Sequence, residues 1–461
     1  MFGFSFNRIQ LNDLASSALI LILLSFTIHA TNLFGRVDNL IFDIGQRISK
    51  TPPPDDVIIV AIDQDSLSQL GRWPWSREVH AKLLQRLKPE HPAAIGFDVI
   101  FSEPEQSNPN ADKALAQAIA ESKNIVLPVL LETVRSNGQI IETLPLPDLM
   151  RHASDVGRVH AALDEDSIAR SVYLYEGLGA PVWQLFSQAV LNTAAKKPTL
   201  NNFNDIPEGA SFNPYGLVRK DQRRVNFLGP PGHFNSLSYV QVLNGEFPKG
   251  IFQDKIVLVG ATALGMNDLL TTPVSGLGLP MAGVEFHANV LASLRANNLI
   301  QQTPFWINAF IVLVLSVMPL LWMPKVTALE GFLSTILFMV IVAVVAGLIP
   351  KLWGIWIPPS AALVPLVLAY PIWSWRKLEA AQRFLDFELN YLRQNMLSLP
   401  GQYDSQSLAG YDKFDARIAQ VRTATQQLRF LNEDRKETLA FISHDLRAPL
   451  AGALMILEQH Q

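Results

Sequence analysis

Three long apolar stretches follow one another in this chain, Phe305 to Met323, Ala328 to Leu348 and Trp356 to Trp375, divided by little more than Pro324-Lys325 and Pro350-Lys351. An unpaired backbone amide costs several kcal/mol in hydrocarbon, so segments this long and apolar have one practical form, a helix that bonds itself. One such helix would suit a soluble core, but three in tandem point to a membrane unit. Trp306, Trp322, Trp353, Trp356, Trp373 and Trp375 sit near their ends, where amphipathic rings prefer the headgroup level. A fourth stretch, Leu14 to Phe34, is broken only by small hydroxyl residues, Asn32 and His29. A cleaved signal peptide fits it poorly: only Arg8 precedes it, and a cut after Ala30 would put bulky Ile28 where a small residue is wanted. An uncleaved anchor is expected.

The chain has 461 residues, enough for two or three units. A mean hydropathy of +0.19 with 17% charged residues fits a protein partly in lipid and partly globular. The net charge of -4 gives no basic surface for nucleic acid, and none is expected as a partner. With no cysteine, disulfides, thiolate metal sites and thiol catalysis are excluded. Four crossings would put both chain ends on one side and residues 35–303 on the other. Arg376, Lys377 and Arg383 favour a cytoplasmic C-terminus; Arg36, Arg47 and Lys50 argue against it, weakly for a long translocated domain.

Within 35–303, Val57 to Ile62, Ala94 to Phe101, Asn124 to Leu131 and Lys255 to Gly260 are continuous apolar runs, separated by helical stretches. Such runs suit strands buried on both faces, with helices as crossovers, so an α/β domain is expected. Val156 to Ala162 and Ile168 to Glu176 flank a polar tip, Leu163 to Ser167, and read as an antiparallel hairpin appended to the sheet.

Ligands of open α/β sheets bind outside the carboxyl ends of the strands. That rule gathers Asp63, Asp65, Asp98 and Thr262 around one crevice, with Trp73 and Trp75 as a stacking wall and Arg77 as an anion-pairing group. Each residue has a structural alternative: Asp63 and Asp65 as helix caps, Trp73-Pro74-Trp75 as core, Asp98 as a partner for Arg77. No metal site is expected. Glu285 and Asn289 share a helical face that His287 does not, which suits local hydrogen bonding, and Asp164, Glu165 and Asp166 match no standard calcium loop and suit a solvated tip.

The last part is polar and helix-rich. Pro, Gly, Ser and Asp between Leu397 and Gly410 break it, and Leu428, Leu431, Arg435, Thr438 and Ile442 then form an imperfect heptad seam. The seam leads into Phe441-Ile442-Ser443-His444-Asp445-Leu446-Arg447-Ala448-Pro449-Leu450. A neutral imidazole on a helix can attack a phosphoryl group while an adjacent carboxylate orients the ring and takes its proton. Pro449 should bend the helix below it.

This motif resembles the phosphoacceptor site of sensor histidine kinases. The resemblance implies that His444 is the autophosphorylated residue and Asp445 its acid–base partner, in a homodimer that takes phosphate from ATP and Mg and passes it to a response regulator. Many relatives carry Thr or Asn where Ala448 stands, which puts the dephosphorylating activity in doubt. Ala61-Ile62-Asp63 with Ser66-Leu67, Leu70 to Arg77 with His80, Gly96-Phe97-Asp98 with Phe101, Lys255 to Ala263 and Met281 to Asn289 resemble the second type of CHASE sensory domain. That module is extracellular and occurs on kinases and cyclases.

The expected layout is a multi-domain membrane protein of the bacterial inner membrane, in contact with lipid: a cytoplasmic start (1–13), an anchor (14–34), an extracytoplasmic α/β sensor (35–303) and three further transmembrane helices (304–375). A cytoplasmic helical linker (376–436) and the dimeric phosphoacceptor helix (437–461) complete it. Nothing after His444 supplies an ATP-binding domain, so the chain as given is expected to be a truncated form. A non-enzymatic receptor or scaffold and, more remotely, a cyclase-linked sensor are the other readings.

Overall fold

A computed structural model describes residues 3–395 except 49, 134–139, 198–212, 214, 267, 277 and 278. The Leu397 to Gly410 break, the heptad seam and the motif containing His444 and Asp445 lie outside the described residues. Among the described residues, those within 21–319 and 332–367 form one compact unit, and those within 3–20, 320–331 and 368–395 form another.

In chain order, α1 (Gly3–Thr31) and α2 (Gly35–Ile48) lead into β1 (Val57–Ile62), α3 (Gln64–Leu70), α4 (Arg77–Leu87), β2 (Ala94–Asp98) and α5 (Pro109–Ser122). Next come β3 (Ile125–Thr133), β4 (Ile140–Thr143), α6 (Pro147–His152), β5 (Asp155–Arg158), β6 (Ala162–Leu163), β7 (Ala169–Leu178) and β8 (Trp183–Gln184). They are followed by α7 (Phe186–Ala194), β9 (Leu217–Arg224), β10 (Ser236–Ser238), α8 (Tyr239–Asn244), β11 (Ile256–Ala261), β12 (Leu269–Leu270), β13 (Met281–Ala282) and α9 (Gly283–Arg295). The chain then runs through β14 (Gln301–Gln302), α10 (Phe305–Val317), α11 (Ala328–Trp353), β15 (Ile355–Trp356) and α12 (Ser360–Asn395).

The four apolar runs become β1, β2, β3 and β11, at the centre of a sheet ordered β10-β1-β11-β2-β3-β4. All its pairs are parallel except β3 with β4, and β5 adds in parallel to the first half of β3. Alternation along β1 sends Ile58, Val60 and Ile62 into one layer, with Leu84 of α4, Leu115 and Ile119 of α5 and Tyr239 of α8. Val57, Ile59 and Ala61 enter the other, with Phe186 and Val190 of α7 and Val284 and Leu291 of α9. Both faces are covered, so every side chain of β1 is buried and the strand reads as an unbroken apolar run.

The expected hairpin is divided between two sheets. β5 belongs to the main sheet, whereas β6, β7, β8 and β9 form a second, antiparallel one. Its inner face packs on α9, where Ala169, Val172 and Phe227 meet Phe286 and Val290.

The tip is not simply solvated. Arg170, 1% exposed, donates to both carboxylate oxygens of Asp43 on α2 at 2.8 Å, to Asp164 at 2.8 Å and to Asp166 at 2.7 Å. A guanidinium this buried needs compensating charge, and the tip folds back to supply it.

Among the described residues, three helical segments are long and apolar enough to cross a membrane: Leu14–Thr31, Phe305–Lys325 and Ala328–Trp353. Two expected boundaries move. α11 runs through Pro350 to Trp353 and stops at Gly354, whose φ of 64° is the left-handed conformation that ends helices. Trp356 is not a headgroup ring: it belongs to β15, is 1% exposed and packs on Phe42, with Arg224 stacked over both. α12 starts only at Ser360, whose N–H and hydroxyl both donate to the buried carboxylate of Asp38 on α2 at 2.7 Å. Gly45 of α2 sits against Gly347 of α11 so closely that a Cβ would strike the Gly347 carbonyl. Gly45→Leu should push the two helices apart and cost about 1–3 kcal/mol, read as a lower melting temperature in detergent; an unchanged midpoint would contradict the contact. In the other unit, Thr327 and Glu330 bond reciprocally at the start of α11, and Glu379 pairs with Arg376 and Arg383 along α12.

Candidate functional site: a crevice at the strand ends

A cavity of about 630 Å³ opens where β1, β2 and β11 end, lined among others by Trp73, Trp75, Arg77, Asp98, Asp268 and His287. It lies within the larger unit. Four of the seven residues expected there, Trp73, Trp75, Arg77 and Asp98, come together in its wall.

The segment between α3 and α4 brings in the tryptophans. Trp75 Nε1 donates to the Gly71 carbonyl at 2.9 Å, and the Trp73 ring stands edge-on to it at 5.2 Å. His80, one turn into α4, is enclosed by Trp73, Trp75, Phe97, Phe101 and Tyr239, and its Nδ1 bonds the Tyr239 hydroxyl at 2.8 Å. Burial, aided by the Arg77 charge, pushes its imidazole down to about 3, so it is neutral at physiological pH. Arg77 is not the partner of Asp98. Its Nε lies 3.6 Å from Asp112, one terminal nitrogen donates to the Glu103 carbonyl at 3.1 Å, and the guanidinium covers the Phe101 ring.

Asp98 ends β2, paired in register with Gly260 of β11. A Cβ at Gly260 would lie 2.7 Å from the Val284 Cβ and 3.3 Å from the Asp98 Cβ, so only glycine lets strand, helix and carboxylate close up here. Burial pushes the Asp98 carboxyl up to about 7. Asp268 faces Gly283 at the start of α9 and is also pushed up to about 7, by burial first and then by the Asp98 charge. His287, one turn along α9, is pushed down to about 4 by burial and lies 3.4 Å from the Ser187 hydroxyl.

Asp63, Asp65 and Thr262 do not line the cavity. Asp63 caps α3, accepting from Ser66 N at 2.9 Å and from the Ser66 and Ser238 hydroxyls at 2.6 and 2.9 Å. Asp65 is exposed in the first turn of α3, and Thr262 bonds the Ile62 carbonyl through its N–H at 3.0 Å. Asp268 and His80 line the crevice without being among the residues expected there, and His287, expected only to bond locally, also faces it. Nothing in the spacing of Asp268 marks it; only the small Gly283 at a helix start hints that a side chain must fit there. Glu285 and Asn289 do bond locally: Glu285 accepts from Gly232 and His233 N at 2.9 Å, and Asn289 from Leu228 N at 3.0 Å.

A second cavity, of about 1000 Å³, lies between the α1–α2 connection and the second sheet, with Asp38, Asp164, Asp166 and Arg224 in its wall. His160 and Leu163 line both cavities, so the run from β5 to the hairpin tip is a shared partition.

The family described as CHASE2 domain matches residues 17–322, more than half of the chain. Neither a curated protein nor a solved structure matches it. CHASE2 is an extracellular sensory domain found in signalling proteins such as histidine kinases and cyclases. With the α/β core, the crevice and the flanking apolar helices all inside or beside the matched span, the chain belongs to the CHASE2 family.

Proposed function

We propose that the chain is the sensing and phosphate-receiving part of a membrane-bound sensor histidine kinase. The sequence motif around His444 and Asp445, placed after a CHASE2 domain and a long helix, is the observation that carries this reading. In it, the apolar start of α12, from Ser360 to Trp375, makes the fourth crossing, residues 35–303 lie outside and the C-terminal part is cytoplasmic. An external stimulus acts at the crevice. Its effect passes through the partition to Arg170 and Asp43 on α2, and through Asp38 to the start of α12. In a homodimer, His444 takes the γ-phosphoryl group of Mg-ATP bound to a kinase ATP-binding domain and hands it to an aspartate of a response regulator, with Asp445 managing the ring proton.

The purified chain, mixed with the ATP-binding domain of a related histidine kinase and radioactive ATP, should take up label. His444→Gln should abolish that label. Persistent labelling of the variant would sink the assignment, and no labelling of the wild-type chain would favour a non-enzymatic receptor.

A further inference from the structure

The crevice holds more acid than base. Asp98 and Asp268 line it, and neither makes a side-chain hydrogen bond or ion pair among the described residues. The cation in the wall, Arg77, is occupied by Asp112, the Glu103 carbonyl and the Phe101 ring. His80 and His287 are neutral, held so by burial, and His160 turns its Nδ1 toward Glu176 at 3.4 Å. Two acids therefore face one cavity without an ion-pair partner; the Asp98 charge makes Asp268 still harder to ionise, and the His287 imidazole offsets this to a lesser extent. Around them stand the Trp73 ring and the apolar side chains of Ile100 and Leu270, with Phe101 buried beneath the Arg77 guanidinium.

A calcium ion needs six to eight oxygen ligands. No group of three or more His, Cys, Asp or Glu side chains is placed to hold a metal among the described residues. A protonated amine asks for less: two or three acceptors for its N–H bonds, and an aromatic surface that also attracts positive charge.

We infer that the crevice binds a small organic ammonium compound, its protonated primary amine held between the Asp98 and Asp268 carboxyl groups and its carbon body resting on Trp73. The inference deepens the sensory reading given above and rests on it for the crevice's role as input.

Calorimetry on the full chain in detergent tests it with phenethylamine, cadaverine and ethanolamine as amines, 2-phenylethanol as the uncharged counterpart of the first, and calcium chloride. At least one amine should bind, and 2-phenylethanol should bind about tenfold or more weakly than phenethylamine, the loss expected for a charge-assisted hydrogen bond. Asp98→Asn and Asp268→Asn should each weaken amine binding by about tenfold or more and leave the alcohol unaffected. The inference falls if no amine binds, if the alcohol binds as well as its amine, if the two variants bind amines undiminished, or if calcium alone binds. Phosphate on His444 separates the two ideas. Amine binding that leaves labelling unchanged upholds the ligand class and refutes the relay; absent amine binding refutes the ligand class whatever the labelling does.

Discussion

Arg170→Ala is expected to destabilise the sensor by about 3–5 kcal/mol, because it strands carboxylates in a buried setting without their cation. Asp43 loses both of its bonds to the guanidinium, and Asp164 and Asp166 lose the group that draws the hairpin tip inward. Arg170→Lys should rescue little, since a single ammonium cannot serve a bidentate carboxylate and two further acceptors together. Acid should act in the same direction. The bonds from Arg170 hold the Asp166 carboxyl below its ordinary value of 3.8, so the stability it contributes is present above that pH and is lost as the pH falls through the depressed folded value. Thermal unfolding of the variants in detergent checks the claim. A midpoint for Arg170→Ala within a degree or two of wild type would show the cluster to be surface decoration.

The second large effect is a gain. Asp98→Asn should stabilise the protein by roughly 1–3 kcal/mol at pH 8 and by almost nothing at pH 4. Burial raises this carboxyl from 3.8 to about 7, so the folded state holds its proton more tightly than the unfolded chain does. The associated stability is complete below 3.8 and drains away as the pH climbs through about 7. Asparagine, always neutral, escapes that loss. The histidines run the other way: His80 and His287 are lowered from 6.5 to about 3 and about 4, so they add stability above 6.5 that disappears on acidification. Subtracting wild-type from variant curves removes their contribution. An equal gain at pH 4 and pH 8 would show that Asp98 does not titrate as its surroundings dictate.

The sheet was legible because a strand buried on both faces must be apolar throughout, and β1 and β11 are. The crevice was legible for a similar reason: strand ends are readable, and Asp98 stands at one. What sequence could not reveal was long-range pairing. Asp63 has the same type of position as Asp98, and nothing near it in the chain tells that Ser238, far along, completes its hydrogen bonds. Asp268 becomes a neighbour of Asp98 only because β11, β2 and α9 meet at Gly260. The tip acids looked solvated because Asp43, the reason Arg170 is buried there, lies in a helix more than a hundred residues away. Trp356 misled for the opposite reason. Its local context is that of a belt residue, and its true environment is Phe42 and Arg224.

β14 and β15 are only two residues each, yet they pair in parallel, Gln301 with Ile355 and Gln302 with Trp356. The pairing pins together the point where the chain leaves the sensor and the point where it comes back to begin α12. Everything from Thr303 to Gly354, including α10 and α11, is thereby a side loop on a knotted string: both its ends are tied to the same post. The start of α12 is therefore held beside the end of the sensor by that short strand pair, whatever the length of the loop between them. Lengthening the connection between α10 and α11 should then leave the melting temperature in detergent unchanged, whereas a proline in place of Gln301, whose N–H donates to the Gly354 carbonyl at 2.8 Å, should lower it.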